Sequence, residues 1–461
     1  MAAPRSLRAE IAGLARLALP LGVASTGQAL MGLVDTAVCG RAGAAVLGGT
    51  GLGNAIFIAA AVFGTGLMMG LDPLVAQAFG AGDPRTARRW LWQGTWLALC
   101  VGAALAVPVA LAPLALRPLG IDADVANQAS RFLWVRAPSL PAALVFVVGR
   151  SYLQGLGLTR AVVVSTVVAN VVNLLADLLF VFGGASLPAW TGPLRAVPPM
   201  GSAGSALATA VVTVIQMLVI AAAVRALPAP GGVSGLRRPV ARDVARAARV
   251  GLPVGLHMGA EVGVFALVGV LAARLGPDPL AAHQIAIALA SVSFTVAVGI
   301  GQAGAVRVGW AVGAGDTPAA RRSGLVALGS GAAWMALSGV LLLLFPRTLA
   351  RLMTDQAAVI ATTTPLLLVA AVFQVSDGVQ AVGAGVLRGA GDTRFTFLAN
   401  MVGHWAIGLP AALALGVLRG GGVTGLWWGL CLGLSAVAAA LLLRFLRLSS
   451  RPIAPLAHAG V

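Results

Sequence analysis

"GAGDPRTARR", residues 80–89, returns as "GAGDTPAARR" at residues 313–322, a shift of 233. The same shift carries Leu19, Pro20 and Gly22 onto Leu252, Pro253 and Gly255, Arg41 onto Arg274 and Leu47 onto Leu280. With a one-residue slip, "LQGLGLTR" (153–160) matches "LRGAGDTR" (387–394). An offset that holds this steadily marks an internal duplication, with each copy about half of the chain.

The duplicated material is membrane helix. Of 461 residues, 59% are hydrophobic and 10% charged, against roughly 25% charged in ordinary soluble domains; the mean hydropathy is +0.94. Apolar runs long enough for a span of about 20 residues recur along the chain, without the ~10-residue alternation of a transmembrane barrel. The spans read as 11–36, 45–73, 91–115, 131–153, 161–183, 201–223, 247–272, 280–306, 325–345, 363–386, 395–416 and 422–445. The expected fold is an all-α polytopic membrane protein of twelve transmembrane helices in two six-helix lobes. Six helices per copy make the repeats parallel. The amino lobe takes 1–224, a basic linker 225–248, and the carboxy lobe 249–461.

Net charge is +17, and all 31 basic residues are Arg. They lie scattered between spans with no RNA-binding module, which argues against nucleic acid as a partner. Assigned to alternate loops, 22 fall on the side of the termini and 9 on the other, so both termini are expected in the cytoplasm. Arg237, Arg238, Arg242, Arg246 and Arg249 give the linker a basic face suited to membrane lipid headgroups. Cys39, Cys100 and Cys431 form neither a CxxC pair nor a zinc spacing. The N-terminus has the basic start and apolar core of a signal peptide; its copy in mid-chain makes it read instead as the first span.

Of the fourteen acids, Asp72 sits toward the cytoplasmic end of the second span, and four fall deeper within spans: Asp35, Asp177, Glu261 and Asp377. An ionised side chain at membrane depth costs about 2.5–3.5 kcal/mol on insertion scales. Each has polar company at helical spacing. Gln28 lies two turns before Asp35, and Asn170 and Asn173 precede Asp177. His257 lies one turn before Glu261, and Phe373, Gln374 and Gln380 share the Asp377 stripe. His283 with Gln284, and Asn400 with His404, add two more polar faces. The repeat-related positions of the four acids are Val268, Ala411, Gln28 and Ala143, so the scaffold is duplicated and the acids are not. Carboxyl groups at such depth favour their neutral form and ionise when exposed or paired with a cation. Competition between a proton and a cationic substrate for one carboxylate gives antiport. Sodium is the rival ion, with Asp35, Asp177 and Asn173 as oxygen ligands. No bound cofactor is expected beyond that coupling ion.

Enzyme motifs are weak. "GIGQAG" (299–304) has the letters of GxGxxG but follows no strand and lies within a span, where close helix packing explains it. HExxH and GxSxG are absent. The chain is not expected to be an enzyme.

"MGLVDTAVCG", "AAHQIAIALASVSFTVAVGIGQAGAVRVG" and "QVSDGVQAVGAGVLRGAGDT" resemble the multidrug and toxic compound extrusion (MATE) family, NorM-type branch. The resemblance covers about residues 10 to 445. It implies two six-helix lobes around a V-shaped central cavity, working as a monomer in a bacterial inner membrane to export amphipathic organic cations against protons or sodium. It assigns coupling or substrate roles to Asp35, Glu261 and Asp377. "NLLADLLFVFG" departs from that branch: Asn173 and Asp177 are spaced as in the DinF-like branch, where an amino-lobe aspartate pair carries coupling. Thr209, in "GSAGSALAT", corresponds to a polar sixth-helix residue of the same site. Two other classes stay open. A lipid-linked oligosaccharide flippase calls for cationic residues lining its cavity, and few Arg fall inside the spans, with Arg136 and Arg150 near the ends of span four; a channel leaks ions without substrate.

Overall fold

The computed structural model describes residues 6–185, 188–228 and 237–456. Among them, twelve helices are long and apolar enough to cross a membrane. They are α1 (Leu7–Ala42), α2 (Ala44–Gly80), α3 (Pro84–Leu116), α4 (Ala123–Gly155), α5 (Arg160–Phe182) and α6 (Ser202–Arg225). The second set is α7 (Ala241–Arg274), α8 (Pro277–Gly313), α9 (Thr317–Leu344), α10 (Ala357–Ala390), α11 (Thr393–Leu418) and α12 (Gly422–Leu448). These are the twelve spans of the sequence, most of them extended at one or both ends.

The repeated motifs turn out to be helix stops. Gly82 and Gly315, the second glycines of the two GAGD copies, have φ of 74° and 72°. The next residue closes each turn: Asp83 N donates to Ala78 O, and Asp316 N to Ala311 O. That is the six-to-one bond of a left-handed C-terminal cap, which a side chain at the glycine would strain. Gly157 and Gly391 do the same in the second motif, with Leu158 N on Leu153 O and Asp392 N on Leu387 O. Asp316 and Asp392 then cap the following helices through Ala319 N and Phe395 N.

Packing divides the chain into two compact units. One takes the described parts of Met1–Ser25, Asp72–Pro84 and Leu252–Val461; the other takes Thr26–Leu71 and Arg85–Gly251. This departs from a division at 1–224 and 249–461, because two amino-half segments pack with the carboxy half. Inside the first unit Glu10 is buried against Arg307 and Ser323, and Asp72 Oδ2 meets Arg388 Nε at 3.2 Å. Gln77 Nε2 donates to Gly389 O at 3.0 Å. α8, α9 and α10 form the centre of that unit, where a Cβ on Gly301 would meet Ala381 O at 3.0 Å and one on Gly304 would meet Ala327 Cβ at 2.9 Å. "GIGQAG" is thus a close-packing face, as expected. α11 is π-helical over Met401–Gly408 and Leu413–Leu418, on either side of Pro410.

In the second unit the core is built from buried Leu133, Leu140, Leu144, Met68 and Ile220. Residues 229–236 of the expected linker lie outside the described residues. Its later part is already helix, since α7 starts at Ala241, and Val240 N donates to Gln93 Oε1 at 2.8 Å. Arg89 pairs with Asp243 at 2.5 Å.

Candidate functional site

Asp35 of α1, Asn173 and Asp177 of α5 and Thr209 of α6 meet in the second unit. Asn173 and Asp177 stand one turn apart, so both side chains leave the same face of α5. Asn173 Nδ2 donates to Asp35 Oδ1 at 2.5 Å and to Asp177 Oδ2 at 2.9 Å. Thr209 Oγ1 donates to Ser205 O at 2.9 Å and lies 3.4 Å from Asp35 Oδ2. Asp177 and Asn173 are completely buried. Asp177 Oδ1, Asn173 Oδ1 and Ser205 Oγ are buried with no hydrogen-bond partner. Leaving a buried polar group unpaired costs about 1–3 kcal/mol, and a proton or a hard cation shared among these oxygens relieves it. Ser205 is the member the sequence reading missed; its position one turn before Thr209 on a small-residue helix was the available signal. Gln28 is half-buried and takes no part in the network.

A further group is Arg136. It lies in the middle of α4, not near a span end as the sequence suggested, and is buried against the Phe57 ring at 4.4 Å. Arg136 Nη1 donates to Ser139 Oγ at 2.7 Å and Thr213 Oγ1 at 3.1 Å, and its charge acts on Asp35. Thr213 sits one turn beyond Thr209 and donates to its carbonyl at 2.7 Å.

The first unit holds a second polar cluster. His257 Nε2 and Glu261 Oε2 of α7 are 3.1 Å apart; Gln380 Nε2 of α10 reaches Glu261 Oε2 at 3.4 Å, and Asn400 Nδ2 of α11 reaches His257 Nε2 at 3.3 Å. Asp377 lies almost one turn before Gln380, is buried, and has Glu261 as the charged group acting on it. A cavity of about 30 Å³ lies between His257, Met258, Arg388, Thr393 and Thr396, enough for a water.

The remaining supporting residues divide. Phe373 packs on Trp427 at 5.4 Å and Phe265 at 6.1 Å, and Phe265 lies 6.4 Å from His404. Both His404 ring nitrogens are buried without a partner. His283 accepts from Trp427 Nε1 at 3.1 Å, tied into this aromatic cluster. Gln374 leaves the acidic cluster: its Nε2 donates to Ser293 Oγ at 2.6 Å and Ser338 Oγ at 2.7 Å, joining α8, α9 and α10. Gln284 is exposed and joins no cluster. Outside the spans, at the extended ends of α3, α8 and α10, further arginines are buried. Arg88, Arg307 and Arg388 are each engaged, Arg88 with Tyr152 and Val224 O and the others as above.

Parallel helical repeats that carry acids at membrane depth, in different positions in each copy, define the class of repeat-built membrane transporters. A sequence model of the MatE family matches residues 20–179 and 253–413, two stretches offset by the same 233 to 234 residues as the duplication. The chain belongs to the MatE family. It is 35% identical to a probable multidrug resistance protein NorM of Pseudomonas putida, over 95% of this chain and 94% of the relative. It is 36% identical to a protein of the same name from Deinococcus radiodurans, over 96% of each, and 31% identical to multidrug resistance protein MdtK of Yersinia pseudotuberculosis, over 96% and 97%. Among solved structures, a MOP superfamily transporter from Pyrococcus furiosus superposes with a TM-score of 0.85 at 19% identity, covering 96% of each chain. A eukaryotic MATE transporter superposes with a TM-score of 0.82 at 19% identity, covering 95% and 96%.

Proposed function

We propose that this chain is a secondary active multidrug efflux transporter, exporting amphipathic organic cations by antiport with protons or sodium through alternating access. It works as a monomer in the bacterial inner membrane, with both termini cytoplasmic. The observation that carries the coupling reading is the Asp35–Asn173–Asp177 cluster.

Its chemistry accepts a proton without rearrangement. As a carboxylate, Asp35 accepts from Asn173 Nδ2. Protonated on Oδ2, it donates to Thr209 Oγ1, whose own proton is already on Ser205 O. Asp177 stands on the other side of the same amide, and two acids that share one donor do not both ionise cheaply. Arg136 holds a buried positive charge on the neighbouring face of α4, and an organic cation or an open water path would compete with the proton for the acid pair. A sodium ion would use Asp35, Asp177 and Asn173 Oδ1 as oxygen donors instead. In the other unit, Glu261 and Asp377 each lie one helical turn from an aromatic ring, Phe265 and Phe373, and carboxyl groups beside aromatic surfaces suit amphipathic cations.

The test is export of a cationic dye in proteoliposomes with proton and sodium gradients imposed separately. Export driven by one gradient and lost in Asp35→Asn supports the reading. Ion leak without substrate indicates a channel, and export indifferent to both gradients rejects antiport.

A further inference from the structure

Between α9 and α10 the chain forms a short helix, Pro346–Met353, beside a groove of about 610 Å³. Its lining includes Arg347, Arg351, Asp355, Ile360, Thr364 and Pro365. The volume is that of a small-ligand site. Arg347 and Arg351 are one turn apart on the helix, Ala350 is buried, and Phe345, Leu352 and Met353 are exposed beside them. An element with arginines and exposed apolar side chains at the end of a span suits the membrane interface.

The duplication supplies a control. Shifted by 233, Leu344, Pro346, Leu349, Leu352 and Asp355 fall on Leu111, Pro113, Leu116, Leu119 and Asp122. In that amino-half copy the charges are used internally. Asp122 caps α4 through Asp124 N and Val125 N, and Arg117 donates to Asn127 Oδ1 at 2.9 Å. In the carboxy copy Arg347 stands at the place of Leu114, Arg351 at that of Pro118 and Ile360 at that of Asn127. α10 begins without a side-chain cap. Among the described residues, Arg347, Arg351 and Asp355 form no ion pair or hydrogen bond with any other. On one scaffold, the amino copy uses its charges internally, and the carboxy copy leaves them free beside the groove.

The geometry points to a phospholipid site for an ethanolamine-type headgroup, with the phosphodiester on Arg347 and Arg351 and the primary ammonium on Asp355. Two guanidiniums suit a phosphodiester through paired, charge-assisted hydrogen bonds. An anionic lipid without an amine places its phosphate near an uncompensated carboxylate; the zwitterion satisfies both signs. A choline headgroup carries the charge but has no N–H to donate. The acyl chains follow the exposed stripe Ala361, Pro365, Leu368, Val372 and Val375, which continues from the groove along one face of α10 into membrane depth at steps of four and three. That continuation is why the occupant is a lipid and not a soluble phosphate ester.

The test is native mass spectrometry of the full chain after exchange into an equimolar mixture of phosphatidylethanolamine, phosphatidylcholine and phosphatidylglycerol. Wild type should retain phosphatidylethanolamine over both others. Arg347→Ala/Arg351→Ala should lower retention of all three by roughly tenfold, the scale of a lost charge-assisted contact. Asp355→Asn should keep the total and erase the preference for ethanolamine over choline. All three residues are exposed, and an unchanged melting temperature checks the fold of the variants. Equal retention of the three lipids by wild type, no loss in the double Arg variant, an intact ethanolamine preference in Asp355→Asn, or displacement of lipid by inorganic phosphate would each overturn the assignment.

Discussion

Asn173 Nδ2 donates to Asp35 Oδ1 at 2.5 Å while also donating to Asp177 Oδ2 at 2.9 Å, so one amide nitrogen serves two carboxyl groups on different helices. Asn173→Ala removes the shared donor and leaves both acids without it. Gradient-driven dye export should fall about tenfold, the equivalent of one buried hydrogen bond to a charged group. Dye efflux from proteoliposomes, normalised to protein in the membrane, measures this.

Asp35→Asn should abolish the dependence of export on the ion gradient, because it removes the exchangeable charge that Thr209 and Asn173 both address. Asp177→Asn should weaken that dependence, since the hydrogen bond of Asp177 runs to Asn173 Nδ2 and Asp35 has that donor in common with it. Flux recorded at several imposed gradients separates the two. Normal, gradient-responsive export by Asp35→Asn makes Asp35 a structural acid.

Glu261→Gln and Asp377→Asn should reduce export of cationic dyes while folded protein stays in the membrane. Glu261→Gln keeps a polar group within reach of His257 and Gln380, and each isostere removes one ionisable carboxyl. Near-normal export by both, at wild-type membrane levels, rejects a role for this cluster.

Gly385→Val should destabilise without touching either acid cluster. A Cβ there already meets the Gly301 backbone, and overpacking of this kind costs about 1–3 kcal/mol. A lowered melting temperature with retained dye affinity is expected; an unchanged melting temperature means that α8 and α10 accommodate the side chain.

The linker around residues 237–248 should be cytoplasmic, by the count of 22 Arg against 9. With Cys39, Cys100 and Cys431 replaced, a cysteine introduced there should resist an impermeant thiol reagent in intact cells. Labelling from outside inverts the topology.

The local features of this protein were legible in its residues. Twelve spans follow from hydropathy, and the duplication from a constant offset. The GAGD copies read as loops because a left-handed cap needs glycine followed by a residue that starts the next helix. Helical spacing was also enough to put Asn173 beside Asp177 and His257 beside Glu261, since residues four apart on one helix are neighbours whatever surrounds them.

What a polar face meets was decided by the tertiary structure alone. Asp35 and Asn173 are 138 residues apart, and nothing in either helix states that they touch. Gln374 shares the spacing of Asp377, yet its amide goes to two serines between α8, α9 and α10. Arg136 reads from the sequence as a residue near a span end; packing against Phe57 buries its charge within reach of Asp35. Glu10 reads as a terminal acid and is buried on Arg307, 297 residues away. Helix periodicity sets which residues share a face, but the partner of that face is set by close packing between distant segments, and burial turns that choice into the charge balance of the site.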